Sequence, residues 1–341
     1  MPDDIKELHT EAVEKGILIL MEMGLDPGLD HMTAMKELDQ IRSKGGDIIS
    51  FKSYTGGVIA PESDNNPWHY KITWNPRNIV QAGNEGARFV RNNKYKFIPY
   101  TNIFSRLDAV NIPTVGLYDG YANRDSLKYK KLYDLSNVPT LLRGTLRKSG
   151  FCQAWDVLVK IGLTNDAFQL KNMKGISYRE FTNAFLRYSK VDSVEQKIAD
   201  FIGVSVDSEI IEKIEWLGLF SKEELIPIDK GSPSDILQAL LEKKWKLSPD
   251  DKDMIVMQHI IEYEKEGNIR TKKLSMIVKG DDAQLTSMAK TVGYPISKAV
   301  ELLLTDQLKM RGVQIPLTSD IYDYVLQDIE EIGVSFIEEE S

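Results

Sequence analysis

A short apolar run near the start of the chain constrains the fold more than any other feature. Residues 17–21 are all apolar, a pattern typical of a strand that is covered on both faces. Periodicity predicts a helix before this run, over residues 5–14, and Gly16 ends that helix. Because a helix leading into a buried strand is one step of a parallel α/β sheet, the sequence predicts an α/β protein.

A second helix is predicted directly after the strand, over about residues 27–43. Asp26 suits the N-cap and Pro27 the first helical position, while Gly45 and Gly46 end the helix. Its apolar positions recur at helical spacing and form one buried stripe. The members of the stripe are Leu29, Met32, Met35, Leu38 and Ile41.

Beyond residue 46 the pattern changes to short strands and turns, which predicts a mainly antiparallel or mixed sheet. Strands are expected at 47–54, 69–74, 116–122, 140–147, 254–263 and 272–278, with a hairpin loop at 264–268. A helical insertion over about 151–247 carries capping patterns at Ser193 and Ser232. Two helices follow, over 286–309 with a kink at 293–295, and over a stretch that carries Tyr322 and Ile332 and ends at Gly333.

Composition excludes several classes of protein. The formal net charge is −8, whereas a general nucleic-acid binder needs a basic surface. No apolar run approaches the roughly 20 residues that span a bilayer, and the polar start does not resemble a secretory signal. With Cys152 as the one cysteine, a reducing, cytoplasmic location is expected. Four scattered histidines have no metal-ligand spacing, so no metal site is predicted.

The corner between the strand and the second helix, Gly24 to His31, is the first candidate site. It places two carboxylates and an imidazole beyond the end of a buried strand, where ligands bind in open α/β sheets. Free amides at the helix start would favour an anion. In the alternative reading, Asp26 only caps the helix, Asp30 lies in its favourable first turn, and His31 is an ordinary surface residue.

Two further features are weaker. Gly56 and Gly57 follow a predicted strand and would either admit a ligand to the backbone or form a turn. Arginines are concentrated on or beside strands, which suits a substrate with several carboxylates, although structural ion pairing explains them equally well. These arginines are Arg77, Arg124, Arg143 and Arg147.

Taken together, these segments resemble the saccharopine dehydrogenase family, specifically the NADP-dependent, L-glutamate-forming branch. The matching blocks run in family order along nearly the whole chain. They are residues 22–32, 50–57, 60–67, 70–74, 122–126, 142–147, 216–221, 253–259 and 288–295.

The resemblance implies a fold with three parts: a Rossmann-type nucleotide domain, an α/β substrate domain with a large mixed sheet, and an all-helical insertion. On this basis residues 1–45 are a remnant of the nucleotide domain. Residues 46–150 and 250–282 form the substrate domain, and 151–249 form the insertion. Residues 283–341 supply C-terminal helices that pack back toward the nucleotide domain.

The resemblance also implies a reaction, in which a hydride passes between NADP(H) and an imine of glutamate and aminoadipate semialdehyde, interconverting them with saccharopine. Asp26 would handle a proton or bind the amine. Substrate binding would fall to Tyr54, Thr55, Arg124, Thr145, Leu146 and Arg147. Cofactor contacts would come from Leu25, Asp26, Pro27, Gly28, Asp30 and Asn75.

Two departures from the family pattern qualify this assignment. Thr55 stands where the family usually has a cysteine, which excludes a thiol role there. The family's glycine-rich first strand has no counterpart, so we expect a truncated reading frame, a split enzyme with a partner chain, or a non-catalytic descendant. A carboxynorspermidine dehydrogenase-like enzyme and an amino-acid- or protein-binding homologue stay open, as does homo-oligomer formation; no nucleic acid or membrane partner is expected.

Overall fold

The computed structural model of the chain describes residues 2–331 and 334–341. Its helices are α1 (Asp3–Glu7), α2 (His9–Glu14), α3 (Leu29–Ser43), α4 (Pro76–Val80), α5 (Tyr129–Leu132), α6 (Phe151–Lys160), α7 (Tyr178–Ala184), α8 (Val194–Ile202), α9 (Glu209–Leu217), α10 (Pro233–Lys244), α11 (Ser287–Leu304) and α12 (Ser319–Glu331). Its strands are β1 (Leu18–Leu20), β2 (Asp47–Ile59), β3 (Ala87–Arg91), β4 (Lys94–Ile98), β5 (Leu107–Ile112), β6 (Gly116–Ala122), β7 (Arg124–Asp125), β8 (Thr140–Lys148), β9 (Leu170–Lys171), β10 (Lys230–Gly231), β11 (Asp253–Lys265), β12 (Asn268–Lys279), β13 (Gly312–Gln314) and β14 (Ser335–Glu340).

A mixed sheet forms the centre of the molecule and confirms the predicted α/β class. Its main path runs β14-β12-β11-β2-β8-β3-β4, and β5, β6 and β7 pair off this path. Strands β2 and β8 are parallel, whereas β11 is antiparallel to both β2 and β12. The long hairpin of β11 and β12 turns at Glu266 and Gly267, which both have positive φ, as a two-residue hairpin turn requires.

The two faces of this sheet pack against different partners because side chains alternate along each strand. On β2, Tyr54 and Val58 point into a core shared with the helices of the 151–249 segment. Phe51 points into a second core, which α3, α11 and α12 cover. The buried stripe predicted for α3 is confirmed, since all five of its members are buried. The second face carries the site described below.

A small parallel sheet of β1 and β13 accompanies the large one. The prediction of a strand covered on both faces is wrong, because Leu18–Leu20 is only half-buried and Ile17 is 49% exposed. Within the part of the chain that the structure describes, β1 pairs with β13 alone. A strand in a two-stranded sheet has less of its surface covered than one in the middle of a wide sheet.

Among the remaining secondary-structure predictions, some are confirmed and others are wrong. The helix predicted over 5–14 is divided into α1 and α2, and residues 69–74 form no strand. Eight of the strands were not predicted: β3, β4, β5, β7, β9, β10, β13 and β14. The capping patterns at Ser193 and Ser232 are confirmed, since each side chain accepts the expected amide. Pro295 lies inside α11, while the predicted stop at Gly333, with Ile332, falls outside the described residues.

No helix within the described ranges is long and apolar enough to cross a membrane.

Candidate functional site

The corner before α3 is a tight turn rather than a simple helix start. The N-cap is Gly28, so the prediction of Asp26 at the N-cap and Pro27 at the first helical position is wrong. The Gly24 amide donates to the Pro27 carbonyl at 3.2 Å, and the Leu29 amide donates back to the Gly24 carbonyl at 2.8 Å. Gly28 has φ of 152°, and a Cβ there would lie 1.9 Å from the Gly24 oxygen. Only glycine therefore fits this position.

The amides of this corner are used within the corner itself. The Gly28 amide donates to Oδ1 of Asp30 at 2.6 Å. The Asp30 amide donates to the Leu25 carbonyl, and the His31 amide to the Gly28 carbonyl, both at 3.0 Å. The expected anion site at free helix amides is therefore wrong, and these residues do not fit the phosphates of a dinucleotide. The cofactor contacts implied for Leu25, Pro27 and Gly28 stay predictions; of these, only Pro27 is exposed.

Arg143 on β8 connects the corner to the central sheet. Its Nη2 lies 2.5 Å from Oδ1 of Asp26 and also contacts Oδ2 of Asp30. The guanidinium lies over the Tyr129 ring, with Cζ 4.0 Å from the ring centroid. The side chain of Asp30 is fully buried, whereas that of Asp26 is 28% exposed. One cation thus faces two carboxylates, of which only Asp26 is open to a ligand.

Burial raises the pKa of Asp30, and the neighbouring Arg143 opposes that rise. Oδ1 of Asp30 accepts from the Gly28 amide and Oδ2 accepts from Arg143. Because both oxygens face donors, a carboxylic proton would have no acceptor here, and the carboxylate form fits the site. For Arg143, burial is outweighed by Asp26 and Asp30, which raise its pKa above the usual range.

His31 is fully buried, so its interpretation as an ordinary surface residue is wrong. Its Nδ1 lies 2.8 Å from the Tyr133 hydroxyl and its Nε2 lies 2.9 Å from Oε2 of Glu22. The first turns of α3 are buried on almost every side, which the single apolar stripe in the sequence did not indicate. Tyr133 and Glu22 carried no sequence signal for this arrangement.

A second buried histidine lies in the same row of the sheet as Arg143. His259 pairs with Ser53 across β11 and β2, and Ser53 pairs with Arg143 across β2 and β8. Its Nε2 lies 2.7 Å from the Thr33 hydroxyl, which itself donates to the Leu29 carbonyl. Nε2 therefore donates to Thr33. Burial lowers the pKa of His259 to about 3, so the imidazole is neutral.

Arg147 lies four residues further along β8 in a different environment. The residue is only 3% exposed, and its Cζ lies 5.0 Å from the Tyr70 ring centroid and 5.4 Å from that of Phe151. Its Nη1 donates to the Leu146 carbonyl at 3.1 Å, while Nε has no hydrogen-bond partner. Among the described residues no carboxylate forms an ion pair with Arg147, so this buried cation has no counter-ion there.

Thr55 and Thr145 lie beside these arginines. They are register partners on the parallel strands β2 and β8, on the sheet face that carries Arg143. Leu146 points the other way and is fully buried. The Tyr54 hydroxyl donates to Oδ2 of Asp108 at 2.7 Å. Substrate contacts by these residues stay predictions.

The remaining predicted residues lie elsewhere in the fold. Arg124 has a 70% exposed side chain, 4.0 Å from Glu85. Asn75 caps α4 by accepting from the Arg77 amide at 3.0 Å. Arg77 itself forms an ion pair with Asp235 at 2.6 Å. This agrees with the alternative in which the arginine pairs with an acid of the fold.

The double glycine is neither a turn nor a strand end, because β2 continues through it to Ile59. A Cβ on Gly56 would lie 2.6 Å from the Leu146 carbonyl oxygen. Glycine is needed there for close packing of β2 on β8.

Within residues 2–331 and 334–341, no group of three or more His, Cys, Asp or Glu side chains is placed to hold a metal ion.

The fold agrees with comparisons to known proteins. The chain belongs to the saccharopine dehydrogenase C-terminal domain family, whose sequence model matches residues 24–334. It is 33% identical to saccharopine dehydrogenase (NADP(+), L-glutamate-forming) of Pyricularia oryzae, over 95% of this chain and 74% of that protein. It is 34% identical to the mitochondrial alpha-aminoadipic semialdehyde synthase of Rattus norvegicus, over 97% of this chain and 36% of that protein.

Among solved structures, the chain resembles the apo, histidine-tagged saccharopine dehydrogenase (L-Glu forming) of Saccharomyces cerevisiae. The TM-score is 0.89 at 31% sequence identity, and the match covers 100% of this chain and 78% of that one. The chain thus spans about a third of the length of the animal synthases it matches and about three quarters of the fungal dehydrogenases.

Proposed function

We propose that this chain carries the amino-acid side of a saccharopine dehydrogenase reaction, binding saccharopine or glutamate with aminoadipate semialdehyde. The buried guanidinium of Arg147, which has no carboxylate partner among the described residues, is the observation that carries this proposal. Relatives over nearly the whole chain are named as saccharopine dehydrogenases, and saccharopine is a tricarboxylate.

A buried cation without an anion costs free energy unless something compensates its charge. The rings of Tyr70 and Phe151 supply part of that compensation as cation–π contacts. A substrate carboxylate would supply the rest through charge-assisted hydrogen bonds from Nε and from the second terminal nitrogen, the geometry in which arginine binds carboxylates bidentately. Arg147 is therefore assigned to a substrate carboxylate.

The reaction requires that a hydride leave the carbon attached to the secondary amine of saccharopine, and that water then divide the resulting imine into the amine and the aldehyde. NADP(+), which appears in the names of the fungal relatives, would accept that hydride. This chain's residues bind and orient the amino acid: Arg147 holds a carboxylate, and the partly exposed carboxylate of Asp26 holds the amine or its proton. Because the corner does not fit the phosphates of a dinucleotide, we assign it no role in binding them.

Isothermal titration calorimetry of the purified chain with saccharopine tests the proposal. Arg147→Gln is expected to weaken binding by about 2–3 kcal/mol, or roughly 30–150-fold, because a charge-assisted carboxylate contact is lost. Arg187→Gln is the matched control, since Arg187 lies in the helical segment and pairs with Asp192 and Asp200 on the surface. Wild-type chain that fails to bind saccharopine would contradict the substrate assignment.

A second function, amino-acid binding without redox activity, is favoured by one observation: the amides at the start of α3 are all engaged within the corner. A parallel titration with NADPH separates the two. Binding of both NADPH and saccharopine supports the dehydrogenase, whereas binding of saccharopine alone fits both the binding protein and a dehydrogenase whose cofactor half lies on a partner chain.

A further inference from the structure

The net charge of the Asp26–Arg143–Asp30 cluster determines which chemical group this end of the site accepts. Because Asp30 is buried and Asp26 is the partner open to a ligand, the two carboxylates have different tasks. We infer that Asp30 is a specificity-determining positioning residue: by engaging Arg143 it leaves Asp26 with an uncompensated negative charge, so that this end selects a cationic amine over a carboxylate. This inference rests on the proposed function.

The arrangement of the bonds supports a division of the guanidinium between the two acids. The same atom of Arg143, Nη2, contacts Oδ1 of Asp26 and Oδ2 of Asp30. Two carboxylates sharing one guanidinium leave a net charge of −1. Asp30 is fixed in place, because its second oxygen accepts the Gly28 amide at 2.6 Å.

Within the described part of the chain, the groups named below on the other elements around the cluster do not cancel this charge. Tyr129 covers Arg143 and lies 5.7 Å, between ring centroids, from His31. His31 itself is matched by Glu22, at 2.9 Å. On the sheet beneath, burial lowers the pKa of His259 to about 3, so this side chain adds no charge at neutral pH. The surplus charge therefore stays at the partly exposed Asp26.

An arginine in this position does not make an anion site. If Arg143 were free, a substrate carboxylate would bind to it as to Arg147. With both acids present, a carboxylate near Arg143 meets net repulsion, while the secondary ammonium of saccharopine meets net attraction. Arg143 and Arg147 lie four residues apart on one strand, about 13 Å along it, so the two ends of an extended amino acid would meet opposite charges.

The test compares two probes by calorimetry: saccharopine, and glutarate, a dicarboxylate without an amine. Asp30→Asn keeps the size of the side chain and an acceptor for the Gly28 amide but brings the cluster to neutrality. We expect saccharopine affinity to fall about tenfold while glutarate affinity stays the same or rises. A purely structural role for Asp30 would instead weaken both probes together.

The controls separate this inference from the proposed function. Glu37→Gln alters another buried acid of α3, paired with Lys272 at 2.5 Å, and should leave the ratio of the two affinities unchanged. If the wild-type chain binds saccharopine and Asp30→Asn has the same ratio of saccharopine to glutarate affinity as the wild type, the inference is overturned while the proposed function stands. Failure of the wild type to bind saccharopine would overturn the proposed function.

A double variant covers the case in which Asp30→Asn does not fold. Replacing both members of the buried pair, as Arg143→Gln with Asp30→Asn, removes an ionic interaction without leaving an unpaired charge, a change that proteins tolerate better than loss of one partner. Asp26 alone again gives a net charge of −1. The ratio of saccharopine to glutarate affinity should then lie within about threefold of the wild-type value, and a tenfold loss would overturn the charge argument.

Discussion

Arg143 and Arg147 occupy the same face of strand β8, four residues apart, yet their surroundings are opposite. Arg143 contacts two carboxylates, Asp26 and Asp30, and lies over Tyr129. Arg147 lies between Tyr70 and Phe151 and forms no ion pair within the described part of the chain. In the first environment the arginine's charge is compensated within the fold, and in the second we propose that it binds a ligand.

The difference arises from the elements that pack on each end of the strand. The corner and the first turn of α3 bring carboxylates to Arg143, whereas the segment before α4 and the start of α6 bring aromatic rings to Arg147. Both residues are arginines on the same strand, four positions apart. The neighbours that each packed element supplies therefore decide whether an arginine stabilises the fold or binds a substrate.

The largest expected effect is on folding stability and is specific to Arg143. Arg143→Met leaves the buried carboxylate of Asp30 without its cation, so the free energy of unfolding should fall by about 3–5 kcal/mol. Arg147→Met replaces an unpaired cation with an apolar side chain among aromatic rings, and its stability should stay within about 1 kcal/mol of wild type. Urea denaturation at pH 7 measures both changes.

Equal losses in the two variants would break this comparison, because they would show that Arg147 also has a counter-ion. Adding Asp30→Asn to Arg143→Met is the informative control. The second substitution removes the unpaired carboxylate of Asp30 and should restore part of the lost stability. If the loss came from a packing defect at Arg143, stability would not be restored.

A second prediction concerns the pH dependence of folding stability. It tests the environment of His259, which lies in the same row of the sheet as Arg143. The pKa of this buried imidazole is about 3 in the folded chain, against about 6.5 when unfolded. Below pH 6.5 the unfolded imidazole binds a proton that the folded one does not, so stability falls as the pH is lowered from 6.5 toward 3. Between pH 7 and 5 this contribution is about 2 kcal/mol, at 1.36 kcal/mol per unit.

His259→Gln should remove that share of the pH dependence, as followed by urea denaturation at pH 7 and pH 5. His69→Gln is a suitable control, because the His69 side chain is 42% exposed. A His259→Gln chain that loses as much stability between pH 7 and 5 as the wild type does would show that the histidine is not buried in neutral form.

Local patterns predicted the parts of the fold that local interactions determine. Strand β6 was predicted over 116–122, the range that it occupies, and the caps at Ser193 and Ser232 depend only on residues three positions away. Residues 69–74 alternate like a strand but pack in the core, where the Ile72 amide donates to the Trp245 carbonyl at 2.8 Å. The acceptor for Ile72 is the C-cap residue of α10, more than 170 positions away in the chain, which the segment's own sequence does not reveal.

The candidate site could be located from the sequence but not resolved into roles. The corner and the arginines were recognised, yet spacing left ion pairing and substrate binding equally open for Arg143 and Arg147. Choosing between them requires knowing that Asp30 contacts Arg143 and that no acid among the described residues forms an ion pair with Arg147, and both are tertiary facts. The corner's cap was misread because Gly28, not Asp26, adopts the conformation that begins the helix.

The smallest expected effect concerns Arg124, which extends the comparison to an exposed arginine. Its side chain is 70% exposed and lies 4.0 Å from Glu85, so water already solvates its charge and a ligand contact there gains little. If Arg124 contacts the substrate, as the family resemblance implies, Arg124→Ala should weaken saccharopine binding by at most about fivefold, in line with an exposed pair worth up to about 1 kcal/mol. The stability and the circular-dichroism spectrum of Arg124→Ala should match those of the wild type.

Since burial magnifies a charge–charge contact, the loss of affinity in Arg124→Ala must be smaller than that in Arg147→Gln in the same titration. The reverse order would show that the substrate carboxylate is held at the surface rather than at Arg147, and would remove the functional distinction between the two buried arginines.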